Sequence, residues 1–448
     1  MQYTTPPDYK LPRSGYRSRL LSYPMLYIVA TIEAILALHY YHGYVYLDDS
    51  PTYAFAGDLL LSGSIDSYRT PTYPLIIVFL RWIFADSWQW AMVTIQYAAF
   101  FISAHYLRLL GDKYIGRPKV VFWIIALYLL WPNCTMHFCR AVLTEIFAVT
   151  ATVFITWFLV KSYPGLPSMA DVARVLFWLA FIVFLRPACL YLLPVVIGWY
   201  ACLWYRNRKE RHFGQLIVAG AGVVAICAGV FAYKAEVTRL YGISSISRVS
   251  GYNNYFPIRQ AHLREPELAK EESMRRVLCG MPDTIAVYDF ISVSAELDTL
   301  VKSSSYAGFE SYVNDVIAAH PMEIGKTVWD RTGSTMLRTP VISFPVQRIQ
   351  FLIPDFSVYF WVSVIVIALF IWEWRKTRRL PMMTLLMMCV TFGVTAVSAL
   401  GAMNDWNRLS LPGMFAFYLL VGRLFAILRP ELMVSRESFP NPSPRLNP

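Results

Sequence analysis

Long apolar stretches separated by short polar loops run through most of the 448-residue chain. A helix that crosses a bilayer needs about 20 mostly apolar residues. Ten stretches approach that pattern: Pro24–Tyr46, Trp88–Leu110, Val120–Trp131, Ala141–Val160, Val172–Leu185, Ala188–Tyr205, Gly214–Tyr233, Phe356–Trp374, Met382–Met403 and Leu409–Leu428. Val120–Trp131 and Val172–Leu185 are short for the task. A further run, Tyr73–Ala85, is too short to span; Pro71 and Pro74 mark its start and Arg81 interrupts it. It reads as an interfacial or re-entrant helix on the side of the loop before it. The first run is too long for a cleavable signal and no small-residue cleavage site follows, so it reads as a first transmembrane helix. One segment differs in kind: Lys234–Asp355 is charged (Glu265, Glu267, Lys270, Glu271, Glu272, Arg275, Arg276) and mostly helical in pattern, as in Ser311–Ala319.

The expected fold is therefore an all-α polytopic membrane protein, a bundle of about ten transmembrane helices with interfacial helices and an extracytoplasmic, mostly helical insertion. Its expected parts are a cytoplasmic tail (1–23), an N-terminal transmembrane module (24–233) with an external loop (47–87), an extracytoplasmic domain (234–355), C-terminal transmembrane helices (356–428) and a cytoplasmic tail (429–448). The Pro-rich end of that tail is expected to be disordered.

Composition supports this and removes alternatives. The chain is 56% hydrophobic and 15% charged, against about a quarter charged in soluble domains, so a soluble enzyme is nearly excluded. Fourteen Trp, 29 Tyr and 28 Phe suit two membrane interfaces. The net charge of +11 hints at nucleic acid until its location is read. Lys10, Arg13, Arg17 and Arg19 precede the first span, and alternate loops hold Lys113, Arg117 and Lys119; Lys161 and Arg174; Arg206, Arg208, Lys209 and Arg211; and Arg375, Lys376, Arg378 and Arg379. By the positive-inside rule these loops and both termini are expected in the cytoplasm, as for a multi-pass inner (plasma) membrane protein, and nucleic acid is not expected as a partner. Segment 234–355 has 13 basic and 14 acidic residues, so it adds none of the excess. Five arginines fall on or near the other side: Arg69, Arg81, Arg140, Arg186 and Arg408.

That external side carries the candidate chemistry. Asp48 and Asp49 precede a short helix whose expected N-cap and first turn are Ser50-Pro51 and whose expected stop is Gly63. The two carboxylates are either a solvated pair beside a cap or a site with a general base. Arg69, in Tyr68-Arg69-Thr70-Pro71-Thr72-Tyr73-Pro74, either grips a phosphate or snorkels to the interface. Glu145 is expected about one turn inside the fourth span, with Arg140 as one candidate partner; an acid there is a functional candidate by default. Arg186 and Arg408 stand at the ends of later spans. Glu33 and His39 in the first span read as helix packing. Cys134 and Cys139 share an external loop and could pair in an oxidising compartment; His137 between them reads as packing. The seven Cys show no metal-like spacing.

These motifs, in this order, resemble the GT-C superfamily of integral-membrane glycosyltransferases, most of all the bacterial branch of protein O-mannosyltransferases and the lipid A aminoarabinose transferase. The matching features are Asp49, Tyr53 and Gly63 after a first span; Arg69 to Pro74, including Tyr73, for an Arg-Thr-Pro-x-Tyr-Pro motif; Thr144-Glu145; Leu185-Arg186-Pro187; and Arg408 with Pro412. The likeness covers about Pro24 to Leu428. Many relatives have Asp-Glu where this chain has Asp49-Ser50, with the second acid placed before as Asp48. Segment 234–355 matches no known part of the family.

The resemblance implies a polyprenyl-phosphate-linked sugar donor, a lipid, glycan or protein acceptor, and membrane lipids as surroundings. A phosphate leaving group needs cations rather than a strong acid, a role for Arg69 and Arg408 with Arg186. Asp49 would act as base, with Asp48 and Glu145 supporting an oxocarbenium-like centre; one displacement would invert it. No cofactor is demanded; three acids on one side leave room for a divalent metal, although no liganding pattern requires it. A lipid-linked glycan polymerase or ligase is a second enzyme class. A transporter or flippase is a third, weakened by the lack of an internal repeat and by polar residues gathered at one edge.

Overall fold

The computed structural model describes residues 22–40, 43–46, 49–130, 138–207, 214–281, 290–336, 358–401 and 406–428. Among these the chain is all-α. The only extended pairing described is a parallel bridge between Val45 and Ala141.

The first membrane helix, α1 (Ser22–Tyr40), shows how the sequence sets the packing. Leu26, Ala30 and Ala34 recur every four residues and are buried, while Met25, Ile28, Ile32, Ile35 and Leu36 are exposed. An apolar outer face of that size fits lipid, not water. Glu33 is half-buried and His39 exposed on the same helix.

After α1 come two short helices, α2 (Ser50–Leu61) and α3 (Thr72–Phe84). They pack closely: a Cβ at Gly57 would lie 3.2 Å from Val78 and 3.4 Å from the Pro74 carbonyl. Arg81 pairs with Asp58 across them at 2.6 Å. The long helix α4 (Trp88–Tyr114) follows, then α5 (Pro118–Leu130), α6 (Glu145–Val160), α7 (Met169–Leu185), α8 (Leu192–Asn207) and α9 (Gly214–Tyr241). Past Tyr233, where the apolar pattern ends, α9 runs on to Tyr241.

Helix α6 occupies the centre. Every residue from Glu145 to Thr156 is buried, the condition for a helix that is apolar all round. It packs against α4, α7 and the last helix, α17 (Trp406–Leu428). Five segments are long and apolar enough to cross a membrane alone: Tyr23–Tyr40, Thr72–Tyr114, Pro187–Asn207, Gly214–Tyr241 and Leu411–Leu428. Pro118–Leu130, Glu145–Val160 and Met382–Val397 are apolar but shorter.

A second hydrophobic core lies in the inserted region, in helices α10 (Arg248–Gln260), α11 (Glu272–Gly280), α12 (Phe290–Ser303), α13 (Tyr306–Ala319) and α14 (Pro321–Met336). Tyr255, Leu300, Phe309, Tyr312 and Val313 are among its most deeply buried residues. Within it Arg259 pairs with Glu296 at 2.7 Å, both side chains buried. The last membrane helices are α15 (Val358–Thr377), α16 (Met382–Gly401) and α17. The inserted domain rests on α16 through α10 and α14.

The bundle has two chemically distinct ends. At one, Lys113 donates to the Lys161 carbonyl, Lys161 and Arg174 pair with Asp171, and Arg206 donates to Tyr163. At that end, too, Glu373 accepts from Arg423 and Thr384, with Tyr114 on Thr384. The loops grouped by charge pattern thus share one end. The other end carries the site.

Candidate functional site

The site is assembled from three breaks in helical structure. Gly63, in the left-handed region at φ +79°, ends the first. Ser64 N–H reaches back to the Leu59 carbonyl and Gly63 N–H to Leu60, closing the last turn of α2. The expected cap at the other end of α2 is not made. Asp49 rather than Ser50 occupies the cap position, and its side chain makes no cap hydrogen bond. Ser50 is the first helical residue, and its Oγ donates 3.0 Å to the Val142 carbonyl. Both side chains are drawn away by tertiary partners, which outweigh a local cap.

The second break is Arg186-Pro187. The residue before a proline is driven out of the helical region; α7 ends at Leu185 and Arg186 is extended at φ −153°, ψ 103°. The third is the entry to α6. Gln96 Nε2, buried on α4, donates to the carbonyls of Cys139 (2.9 Å) and Ala141 (2.8 Å). Arg140 is buried and its Nε donates 3.1 Å to Gly43. Gly43 itself needs to be glycine: its φ is +100° and a Cβ would sit 2.9 Å from the Trp90 ring. The expected position of Glu145 is corrected here. It is the first residue of α6, after Thr144 at the cap, and not a turn inside. The positive end of the helix dipole therefore faces its carboxylate.

Onto this platform the loop between α2 and α3 brings Arg69. Its Nη2 lies 2.6 Å from Asp49 Oδ1, its Nε 2.7 Å from Thr52 Oγ1 and its Nη1 3.3 Å from the Tyr53 hydroxyl. The guanidinium also stands 4.3 Å from the centre of the Tyr53 ring. Tyr53 packs edge-on against Tyr73 (4.9 Å), which in turn meets Phe147 on α6 (6.0 Å). Thr70 Oγ1 donates 3.2 Å to the Leu185 carbonyl, docking the loop beside Arg186. Arg186 and Glu145 form a buried ion pair at 3.5 Å. Asp49, Tyr53, Arg69, Tyr73, Glu145 and Arg186 are thus neighbours, drawn from four separate stretches of chain. Asp49 keeps 31% of its side-chain exposure and Arg69 15%, so the pair faces outward while Glu145–Arg186 lies behind it.

Two buried donors stand out. Among the described residues, Tyr73 Oη and Arg186 Nη1 make no hydrogen bond. Arg186 lies near enough to Glu145 for charge attraction but is too poorly placed for a bond. A buried polar group left without a hydrogen bond is costly.

Asp48 lies outside the described residues, so its share with Asp49 is not described. The same holds for Cys134 and His137, and so for a Cys134–Cys139 pairing. Arg408 falls in the first turn of α17, on the same end of the bundle; its side chain lies outside the described residues. No group of three or more His, Cys, Asp or Glu among the described residues could hold a metal ion. The described acids at the site, Asp49 and Glu145, face Arg69 and Arg186.

Sequence reading missed several participants. Asp66 is buried and its Oδ2 accepts from the Arg69 backbone N–H at 3.0 Å, a local turn legible from its spacing. Thr52 and Gln96 gave no signal, and Ser50 read only as a cap, because their site partners lie elsewhere in the sequence.

The fold and site together define an all-α, multi-pass membrane protein with paired charges at one end of its bundle. No family model matches the chain, and no curated protein matches it. Among solved structures, the chain is similar to the archaeal oligosaccharyltransferase AglB from Archaeoglobus fulgidus in complex with an inhibitory peptide and a dolichol-phosphate. The identity is 10%, over 91% of this chain and 51% of that one, with a TM-score of 0.46. It is also similar to ArnT from Cupriavidus metallidurans bound to undecaprenyl phosphate, at 14% identity over 91% of this chain and 79% of that one, with a TM-score of 0.38. The chain spans about half the length of the archaeal protein.

Proposed function

We propose that this protein is a membrane glycosyltransferase that moves a sugar from a polyprenyl-phosphate-linked donor to an acceptor hydroxyl. The reaction takes place at the extracytoplasmic end of the bundle, with both termini in the cytoplasm. The observation that carries this reading is the Asp49–Arg69 pair, set in front of Glu145–Arg186 at the edge of an apolar bundle. A lipid-linked phosphate needs this placement: an apolar flank for its tail and arginines where its headgroup emerges.

The geometry suggests a sequence of events. Without donor, Arg69 holds Asp49, and taking up a proton would forfeit that pair. A donor phosphate is the stronger bidentate partner for a guanidinium. When Arg69 turns to it, Asp49 is released to accept the proton of the acceptor hydroxyl. The acceptor oxygen bonds to the anomeric carbon, the bond from that carbon to the phosphate oxygen breaks, and the phosphate leaves with the electron pair. A single displacement inverts the centre. Arg186 and Arg408 stabilise the charge that the phosphate gains. Glu145 and Tyr73 stand toward the electron-poor sugar, Asp48 is assigned a supporting charge from its place in the sequence beside Asp49, and the Tyr53 ring steadies Arg69.

The test is incubation of the purified protein in nanodiscs with radiolabelled polyprenyl-phosphate sugars and candidate acceptor lipids, glycans or peptides. Transfer that is lost in Asp49→Asn supports the reading. No transfer from any donor, alongside measured solute flux in proteoliposomes, would replace it with a transporter.

A further inference from the structure

Five consecutive backbone carbonyls, Ile65 to Arg69, each accept a hydrogen bond from the stretch where α9 leaves the bundle and enters the inserted domain. Tyr241 Oη donates to Ile65, the Arg248 N–H to Ser67 at 2.8 Å, and Ser247 Oγ to Tyr68 at 2.6 Å. Tyr233 Oη lies 3.4 Å from both the Asp66 and the Arg69 carbonyls. The clamp is itself braced. The Arg248 guanidinium stands over the rings of Tyr306 (5.1 Å), Tyr241 (5.4 Å) and Tyr68 (5.7 Å). Tyr306 Oη, from the core of the inserted domain, donates to the Arg248 carbonyl. Tyr68 and Tyr252 share a hydrogen bond of 2.9 Å.

We infer that the root of the inserted domain, Tyr233 with Tyr241, Ser247 and Arg248, positions Arg69. A loop of polar residues following a glycine has many conformations, and nothing in its own sequence beyond the Asp66 turn fixes it. Its carbonyls are instead satisfied from another part of the chain. Arg69 is thereby held where one guanidinium reaches Asp49, Thr52 and Tyr53 together. The ordering is complete before any ligand arrives, and preorganisation of this kind is expressed as affinity. This gives the inserted domain a role: its folding sets the geometry of the charged pair, so whatever docks on the domain is mechanically linked to Arg69. The inference rests on Arg69 as the donor-phosphate ligand for its effect on binding, but not for its effect on the loop.

Two measurements on the full-length protein test it. The double variant Tyr241→Phe/Ser247→Ala removes two donors without opening a cavity, and Ser247→Thr keeps the hydroxyl as a rescue control. Hydrogen exchange of the amides in residues 64–70 should rise about tenfold or more in the double variant, with the membrane helices unchanged. Undecaprenyl phosphate, added as the probe and followed by native mass spectrometry, should bind about tenfold more weakly. Ser247→Thr should stay near wild type in both. Unchanged exchange would overturn the clamp. Faster exchange with unchanged undecaprenyl phosphate affinity would overturn its link to Arg69. If the wild type itself binds no undecaprenyl phosphate, the donor reading fails, and the exchange ratio alone decides whether the loop is clamped.

Discussion

The Asp49–Arg69 pair makes a quantitative demand that a double-mutant cycle can check. The isosteric Asp49→Asn and the shorter, polar Arg69→Gln remove the two charges. Losing a general base lowers turnover by about 10²–10⁴, or roughly 3–5 kcal/mol in the barrier. Losing one cation aimed at the leaving group costs about 10²–10³. If the two acted independently, the double variant would fall by the product, about 10⁴–10⁷. The structure argues against independence. The 2.6 Å contact joins side chains that are 31% and 15% exposed, between the exposed pairs worth under about 1 kcal/mol and the buried ones worth about 3–5. A coupling of about 2 kcal/mol, or about 30-fold, follows, so the double variant should fall about 3- to 30-fold below Asp49→Asn instead of the full loss of about 10²–10³. The assay is single-turnover transfer from a radiolabelled polyprenyl-phosphate sugar at limiting donor, so that the donor-free enzyme with its Asp49–Arg69 pair is the reference state. Strictly multiplicative losses, or Asp49→Asn with more than about a tenth of wild-type turnover, would refute the reasoning.

Other expectations concern the frame around the site. At the α16–α17 crossing a Cβ on Gly413 would lie 2.3 Å from Val394 Cγ1 and 2.9 Å from the Val390 carbonyl. Gly413→Ala should therefore destabilise by about 1–3 kcal/mol in detergent melts, whereas Gly198→Ala, with open space around it, should not. Glu373→Ala removes the partner of Arg423 (3.2 Å) and Thr384 (2.7 Å) at the opposite end. It should cost about 2–3 kcal/mol of stability while turnover per folded molecule stays at wild type. In the inserted domain, the hydrogen bond from Lys270 holds the Asp315 carboxyl below its ordinary value of 3.8. A depressed carboxylate stabilises the fold above its unfolded pKa and loses that contribution as pH falls through the folded one. Lys270→Ala should lower the melting midpoint slightly at pH 7, by under about 1 kcal/mol for so exposed a pair, and the difference should vanish in acid. A difference that persists there would show that Lys270 acts through packing.

Legibility differed sharply between fold and site. Each of the ten apolar stretches contains a helix, because a continuous apolar run has only one way to satisfy its backbone in lipid. The helix ends were read less well where tertiary partners compete with local rules. Ser50 is an excellent cap by composition, yet its hydroxyl goes to Val142, across 92 positions of chain. Glu145 was expected deeper in its helix, because the run from Ala141 is apolar without a break. The turn there is set by Gln96, whose carbonyl partners lie on another element. Within the site, the candidate residue types were visible, but their pairing was not. Arg69 reads as a phosphate ligand or a snorkelling side chain; the structure adds that it faces Asp49.

The sequence by itself determined the class of molecule, its helices and the grouping of its loops by charge. These depend on transfer of apolar surface and on loop charge, which are sums over local composition. Only the tertiary structure decided which acid faces which arginine, that α6 is the buried centre, and that the inserted domain grips the loop of Arg69. Those outcomes depend on contacts between residues far apart in the chain. The carbonyls of residues 65–69 carry no side-chain signature of the tyrosines and serine that bind them.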